Sequence, residues 1–400
     1  MTLGEQIAAA RPRVIAALAV QFRDLDLAED AFAESATKAL QLPDPPDRLA
    51  GWLFVAAKRK ALDMIRKREA EGRAIADAKP LSDMADIIQL PEPIEDERLR
   101  LIFICCHPAL ALEVRTALAL KVICGLPVEV IARLFVTSQA TMFQRITRAK
   151  RKVQEAGISF ELPPRKAWGE RLDAVLLTLE LAYTAAYQDA AGELDAELSE
   201  EVARLAAMVA ELLPDEPEVL GLAALVWLAS SREKARIDSR GAMVPLSRQD
   251  CALWNYAAID RARQWLDRAH NFGRTGPYQV MAAIQLTHAR RGFDGTTDWQ
   301  AIVKLYDALA IMRPGAMVSL NRSLALAKVE GVQAGLDALQ SISGDRVENS
   351  RPFQVARAEF LTELGRLDEA KGALAKALSL DPPRAERLFL ESKLAGLTAL

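Results

Sequence analysis

Apolar residues recur three and four positions apart along almost the whole chain, with polar and charged residues on the remaining faces. No stretch sustains the one-by-one alternation, rich in β-branched and aromatic residues, that marks a half-buried strand. This periodicity predicts helices nearly throughout and an all-α fold. Turn signals interrupt it at Pro43-Asp44-Pro45-Pro46, Pro80, Pro91-Glu92-Pro93, Pro163-Pro164 and Arg274-Thr275-Gly276-Pro277. Between Glu69 and Glu97 large apolar residues thin out in favour of Asp, Glu, Ala and Pro, the composition of a linker. The expected organisation is a helical domain over 1–70, a linker over 71–97, a second helical domain over 98–162 and a helical stretch over 163–400.

Leu126 to Lys152 reads as a helix-turn-helix. Pro127 opens a short helix ending near Phe135, Val136-Thr137-Ser138 form the turn, and Ser138 is placed to cap a helix beginning at Gln139. In that second helix Met142, Ile146, Ala149 and Val153 form a buried stripe, leaving Thr141, Gln144, Arg145, Arg148 and Lys152 on another face. Arg and Gln bond base edges in pairs of hydrogen bonds, and Lys neutralises phosphate, so this face suits a DNA groove. A helical hairpin with a merely solvated basic face shows the same spacing.

The last part of the chain carries a repeat signal. Ala358, Gly365, Ala370, Leu374, Ala377 and Pro382 fall at tetratricopeptide offsets, where small residues let two antiparallel helices approach and Pro ends the second. One such unit buries its apolar face only against neighbours, and Met317 to Ile342 and Glu218 to Arg236 look like degenerate relatives. A helical array over roughly 165–400 is expected; an irregular bundle with one chance match is the alternative.

Composition adds exclusions. With 400 residues, 51% of them apolar and 26% charged, the chain has the make-up of a soluble protein of two or three domains. The apolar runs Ile15 to Val20 and Leu101 to Cys106 fall short of the ~18 residues of a membrane span, and no small-residue cleavage site follows the first. A cytoplasmic protein without membrane contact is expected. Net charge is −3, but basic residues cluster at Lys58 to Arg68 and at Arg145 to Lys152. Cys105, Cys106, Cys124 and Cys251 are too few and too irregular for a disulfide framework. Cys105-Cys106-His107 lacks a partner motif for zinc, so buried thiols, no metal and no cofactor are expected. His107, His270 and His288 lie in unrelated segments, Glu180 with Asp189 and Asp294 with Asp298 read as ordinary acids, and no nucleotide-binding or triad signature occurs. An enzyme is not expected.

A second constellation precedes the helix-turn-helix. Asp24, Asp26, Glu29, Asp30 and Glu34 mark an acidic helix. A Pro-rich loop over 41–47 follows, then a helix apolar at Leu49, Trp52, Leu53 and Ala56 and basic thereafter. Here the sequence resembles extracytoplasmic-function sigma factors, in FRDLDLAEDAFAESATKAL (22–40) and WLFVAAKRKALDMIRKR (52–68). The resemblance continues in DERLRLIFICCHPAL (96–110), ATMFQRITRAKRKVQEAGI (140–158), LLPDEPEVLGLAAL (212–225), GPYQVMAAI (276–284) and TDWQAIVKLYDAL (297–309). Together these look like the subgroup numbered 42, which carries a fused tetratricopeptide-like extension.

The resemblance implies a subunit that binds core RNA polymerase and directs it to promoter DNA, its domain two opening the −10 element and its domain four reading the −35 element. Asp26, Glu29, Asp30 and Glu34 would then face core polymerase. The loop over 41–47 would lie near a flipped base, and Trp52, Lys58, Arg59, Asp63, Arg66 and Lys67 would line the opened −10 strand. Ser138, Thr141, Gln144, Arg145, Arg148 and Lys152 would meet the −35 element. Lys58-Arg59-Lys60 stands where the family usually has Arg-Asn-Arg, and Thr184-Ala185-Ala186-Tyr187 where many members have Asn-Glu-Gly-Tyr. The extension is expected to control the sigma domains by intramolecular docking. A helix-turn-helix regulator with a helical sensor array is the competing reading, and it leaves residues 22–68 without a purpose.

Overall fold

The computed structural model describes residues 2–43, 46, 48–72, 94–123, 125–135, 137–155, 169–188, 196–342 and 344–398. Most of the expected linker, Pro163-Pro164, Cys124, Val136, Asp189 and three residues of the 41–47 loop lie outside them. The described residues are helical, with an isolated antiparallel bridge between Ile237 and Met243 and no strand. The all-α expectation holds. The chain forms two compact units, Met1–Ala185 and Ala186–Leu400.

The first unit holds α1 (Leu3–Phe22), α2 (Leu25–Leu40), α3 (Leu49–Gly72), α4 (Ile94–Cys105), α5 (Leu112–Val122), α6 (Val128–Leu134), α7 (Gln139–Glu155) and all but the end of α8 (Gly169–Gln188). Asp24 starts α2 by accepting the Leu27 amide at 2.9 Å, a side-chain cap on an otherwise orphaned N–H. Residues 14–19 of α1 are buried on every side, because α1 packs against α2, α3 and α4. Cys105 and Cys106 are buried thiols. Burial pushes the Cys106 pKa up to about 12, against the opposing pull of a hydrogen bond with Thr178 of α8. That thiol stays protonated and inert at neutral pH.

The second unit contains α9 (Ala196–Leu212), α10 (Pro217–Ser230), α11 (Tyr256–His270), α12 (Pro277–Ala289), the short α13 (Arg291–Asp294), α14 (Trp299–Met312) and α15 (Ala316–Glu330). It continues with α16 (Val332–Gln340), the short α17 (Asp345–Glu348), α18 (Arg351–Glu363), α19 (Leu367–Ser379) and α20 (Arg384–Thr398). α10 is apolar almost all round and is enclosed by α9, α11 and α12. Gly221 permits the close approach of α12: a Cβ there would lie 2.7 Å from the Gln279 amide nitrogen. Glu218 of α10 then accepts hydrogen bonds from the Tyr278 and Gln279 amides at 3.0 and 3.2 Å, capping α12 from a neighbouring helix.

Met317 to Ile342 holds the antiparallel pair α15–α16, and Ala358, Ala370, Leu374 and Ala377 are buried where α18 and α19 meet. Glu218 to Arg236 holds one helix, α10, and a 3₁₀ turn over Glu233–Ala235. His288 is half-buried and packs edge-on against Trp299 at 5.3 Å. Burial, and then the nearby Arg232 and Arg291, hold its pKa down at about 4, so it is neutral at pH 7.

Candidate nucleic-acid interface

The pair α6–α7 is built from local rules. In α6, Val130, Ile131 and Ala132 are buried, and the turn closes with the Thr137 amide donating to the Ala132 carbonyl at 3.0 Å. Ser138 then caps α7, its Oγ accepting the Thr141 amide at 3.1 Å and lying 2.8 Å from Thr141 Oγ1. Met142, Ile146, Ala149 and Val153 are the buried residues of α7, which packs on α5 and α6.

The opposite side of α7 presents Thr141, Phe143, Gln144, Thr147, Arg148, Arg151 and Lys152 to solvent. Arg145 is less exposed and points a guanidinium nitrogen to within 3.7 Å of Glu113 on α5. Phe143 is 61% exposed, an apolar ring within a polar and basic face. Sequence reasoning passed over it, although a large apolar residue off the buried stripe is itself a signal. Such a face has amide, guanidinium, ammonium and apolar groups in the mixture that base edges, phosphates and thymine methyls require.

On α3, Leu53, Phe54, Ala57 and Ala61 are buried, Trp52 and Lys58 are half-buried, and Arg59, Asp63, Arg66 and Lys67 are exposed. Several of its cations already meet acids. Lys60 pairs with Glu34 at 2.5 Å, Arg68 with Asp24 at 3.5 Å, and Arg66 with Asp63 at 3.6 Å. The basic half of α3 therefore lies partly along the acidic half of α2, where Asp30 stays exposed.

The remaining two acids of α2 are engaged elsewhere. Lys150 of α7 donates to Asp26 Oδ1 at 2.7 Å and to Glu29 Oε2 at 2.5 Å, while Arg11 of α1 donates to Glu29 Oε1 at 2.9 Å. Burial by itself would lower the Lys150 pKa, but the Glu29 and Asp26 carboxylates and their hydrogen bonds hold it above the ordinary lysine value. Lys121 of α5 joins the cluster: burial lowers its pKa, Glu29 opposes that shift, and Arg11 and Lys150 add to it. Gly125, at φ +67°, makes room for Arg11, since a Cβ there would lie 2.9 Å from Arg11 Nη1. None of Arg11, Lys121 or Lys150 was singled out from sequence. Lys150 carried a usable signal: four residues beyond Ile146, it flanks the buried stripe.

Residues 100–153, which contain this helix-turn-helix, match the family model described as sigma-70, region 4, and residues 171–270 match a family of unknown function (DUF6596). The helix-turn-helix therefore lies in a segment similar to region 4 of sigma-70 factors. A second similarity covers almost everything. The chain is 38% identical over 404 residues to a protein of Rhizobium meliloti (strain 1021) described as uncharacterized protein R00370, spanning 98% of this chain and 95% of that one. The chain belongs to one family with that protein. It is also 27% identical over 146 residues to the probable ECF RNA polymerase sigma factor SigI of Mycobacterium tuberculosis, in strains CDC 1551 / Oshkosh and ATCC 25618 / H37Rv. That similarity covers 35% of this chain and 50% of the mycobacterial protein.

Proposed function

We propose that the protein is an extracytoplasmic-function RNA polymerase sigma factor, not an enzyme, acting in the cytoplasm and directing core polymerase to its own set of promoters. The observation that carries this reading is the division of α7: a buried stripe of Met142, Ile146, Ala149 and Val153 opposite an exposed face with Thr141, Gln144, Arg148 and Lys152. The region 4 match over the same residues and the similarity to a probable sigma factor support it. Among the described residues no helix is long and apolar enough to cross a membrane.

In this reading residues 1–70 bind core polymerase through α2 and open the −10 element along α3, with Trp52, Lys58, Arg59, Asp63, Arg66 and Lys67 beside the separated strand. Stacking and phosphate neutralisation are the forces that such a surface needs. Residues 98–162 read the −35 element through Ser138, Thr141, Gln144, Arg145, Arg148 and Lys152. Ser138 serves chiefly as the cap that fixes the start of α7, and Arg145 must leave Glu113 to reach a base. Residues 163–400 form the tetratricopeptide-like extension of subgroup 42 and act on the sigma domains as a built-in controller. Run-off transcription with purified core polymerase on the gene's own upstream region tests the reading. A specific transcript dependent on the protein is expected; a requirement for an additional sigma factor would identify a conventional helix-turn-helix regulator instead.

A further inference from the structure

The acids of α2 divide into two sets. Asp30 and Glu34 are exposed, whereas Glu29 retains 15% exposure of its side chain and is held from both sides by Arg11 and Lys150. Lys150 itself is covered to the same degree, with 11% of its side chain exposed. A lysine in this state has exchanged water and phosphate for two carboxylates lying 121 and 124 positions earlier in the chain. The contact joins the helix proposed to read DNA to the helix proposed to bind polymerase. It is backed by a second contact between the same parts of the chain, because the apolar α1 packs against α4.

Charge gives the contact a direction. Arg11, Lys121 and Lys150, from three different helices, gather around Glu29, and Lys150 also pairs with Asp26, whose side chain stays half exposed. A basic partner approaching this end of α2 meets a covered Glu29 and a Lys150 ammonium already paired with Asp26, and like charges at an interface oppose association. From this geometry we infer that the first unit is a self-inhibited form, in which Lys150 occupies the Asp26 and Glu29 carboxylates that core polymerase requires, so that polymerase binding releases α7 from α2. The inference rests on the sigma-factor reading above. It makes access to α2 and presentation of α7 to DNA parts of one event: the ligand that binds the parted form better shifts the population toward it.

A zero-length carbodiimide reads the contact directly, since it joins a lysine amine to a touching carboxylate as an amide with loss of water. In the full-length chain alone, digestion and mass spectrometry should find Lys150 linked to Asp26 or Glu29. The yield should fall severalfold once purified core polymerase is bound, and K150R, which keeps the charge but cannot form the amide, should give no such link. In parallel, K150A should bind core polymerase about fivefold more tightly than the parent at low salt, the scale of one partly covered ion pair. That advantage should shrink at high salt as the charges are screened. Absence of the link in the free parent chain, an undiminished link in the polymerase complex, or binding by K150A no tighter than the parent's would each overturn the inference. Failure of both forms to bind core polymerase at any salt would overturn the sigma-factor reading along with it. Binding of core with an unchanged link overturns the self-inhibited form alone.

Discussion

The two compact units put their informative groups in opposite places. In Met1–Ala185 they are charges at or near the surface: exposed acids on α2, cations on α3 and α7, and a half-covered ion cluster between α2 and α7. In Ala186–Leu400 they are interior groups: the enclosed α10, the Glu218 cap on α12, small residues between α18 and α19, and the neutral His288. The difference teaches where to look for each kind of failure. Exposed charges move stability little and partners a great deal, whereas interior packing and buried titratable groups move stability first.

The sharpest way to break this contrast is a double charge reversal on α2. If α2 meets a basic polymerase surface as proposed, D30K with E34K places like charges against it and should abolish holoenzyme formation while leaving the circular dichroism melt nearly unchanged. Retained core binding would remove the assigned role of α2; a collapsed melt would show that these charges are structural. The converse in the second unit is L374A. Leu374 is fully enclosed between α18 and α19, and its truncation should cost ~2–5 kcal/mol in a denaturant melt, with core binding by the folded fraction preserved.

A pH experiment sharpens the contrast further. Because the folded-state pKa of His288 is about 4, the unfolded chain binds a proton that the folded chain refuses as pH falls from about 6.5 to about 4. Stability should therefore drop across that window by up to about 3 kcal/mol from this group and by no more below it. H288F keeps a ring against Trp299 and removes the proton site, so its denaturant midpoint should be less sensitive to acid than the parent's. Equal sensitivity would mean that His288 does not resist protonation. The smallest expected effect lies on α7, where K152A should weaken DNA binding about equally on all sequences and lower the salt slope by about one unit, without moving the melt.

What could be read from sequence follows the range of the interactions. The stripe of Met142, Ile146, Ala149 and Val153 and the cap at Ser138 repeat within a turn or two of helix, so spacing alone displayed them. The α15–α16 pair and the small residues of α18 and α19 were visible for the same reason. Lys150 belonged to a run of basic residues that spacing could assign only to a surface, because Asp26 and Glu29 lie more than a hundred positions away. The pairs Lys60–Glu34 and Arg68–Asp24 were hidden likewise: each helix looked basic or acidic until the α2–α3 hairpin laid them side by side. Glu218 was an ordinary helix acid until α12, 60 positions on, brought its first amides to it.

Footprinting of the upstream region by reconstituted holoenzyme tests most directly whether α7 reads promoter DNA. Arg148 is exposed on the face opposite the buried stripe. If it bonds a guanine through two hydrogen bonds, R148A should lose ~1–3 kcal/mol of promoter binding, with protection fading over the −35 element while core binding is retained. Protection of the −35 region by R148A equal to that of the parent would contradict the assignment.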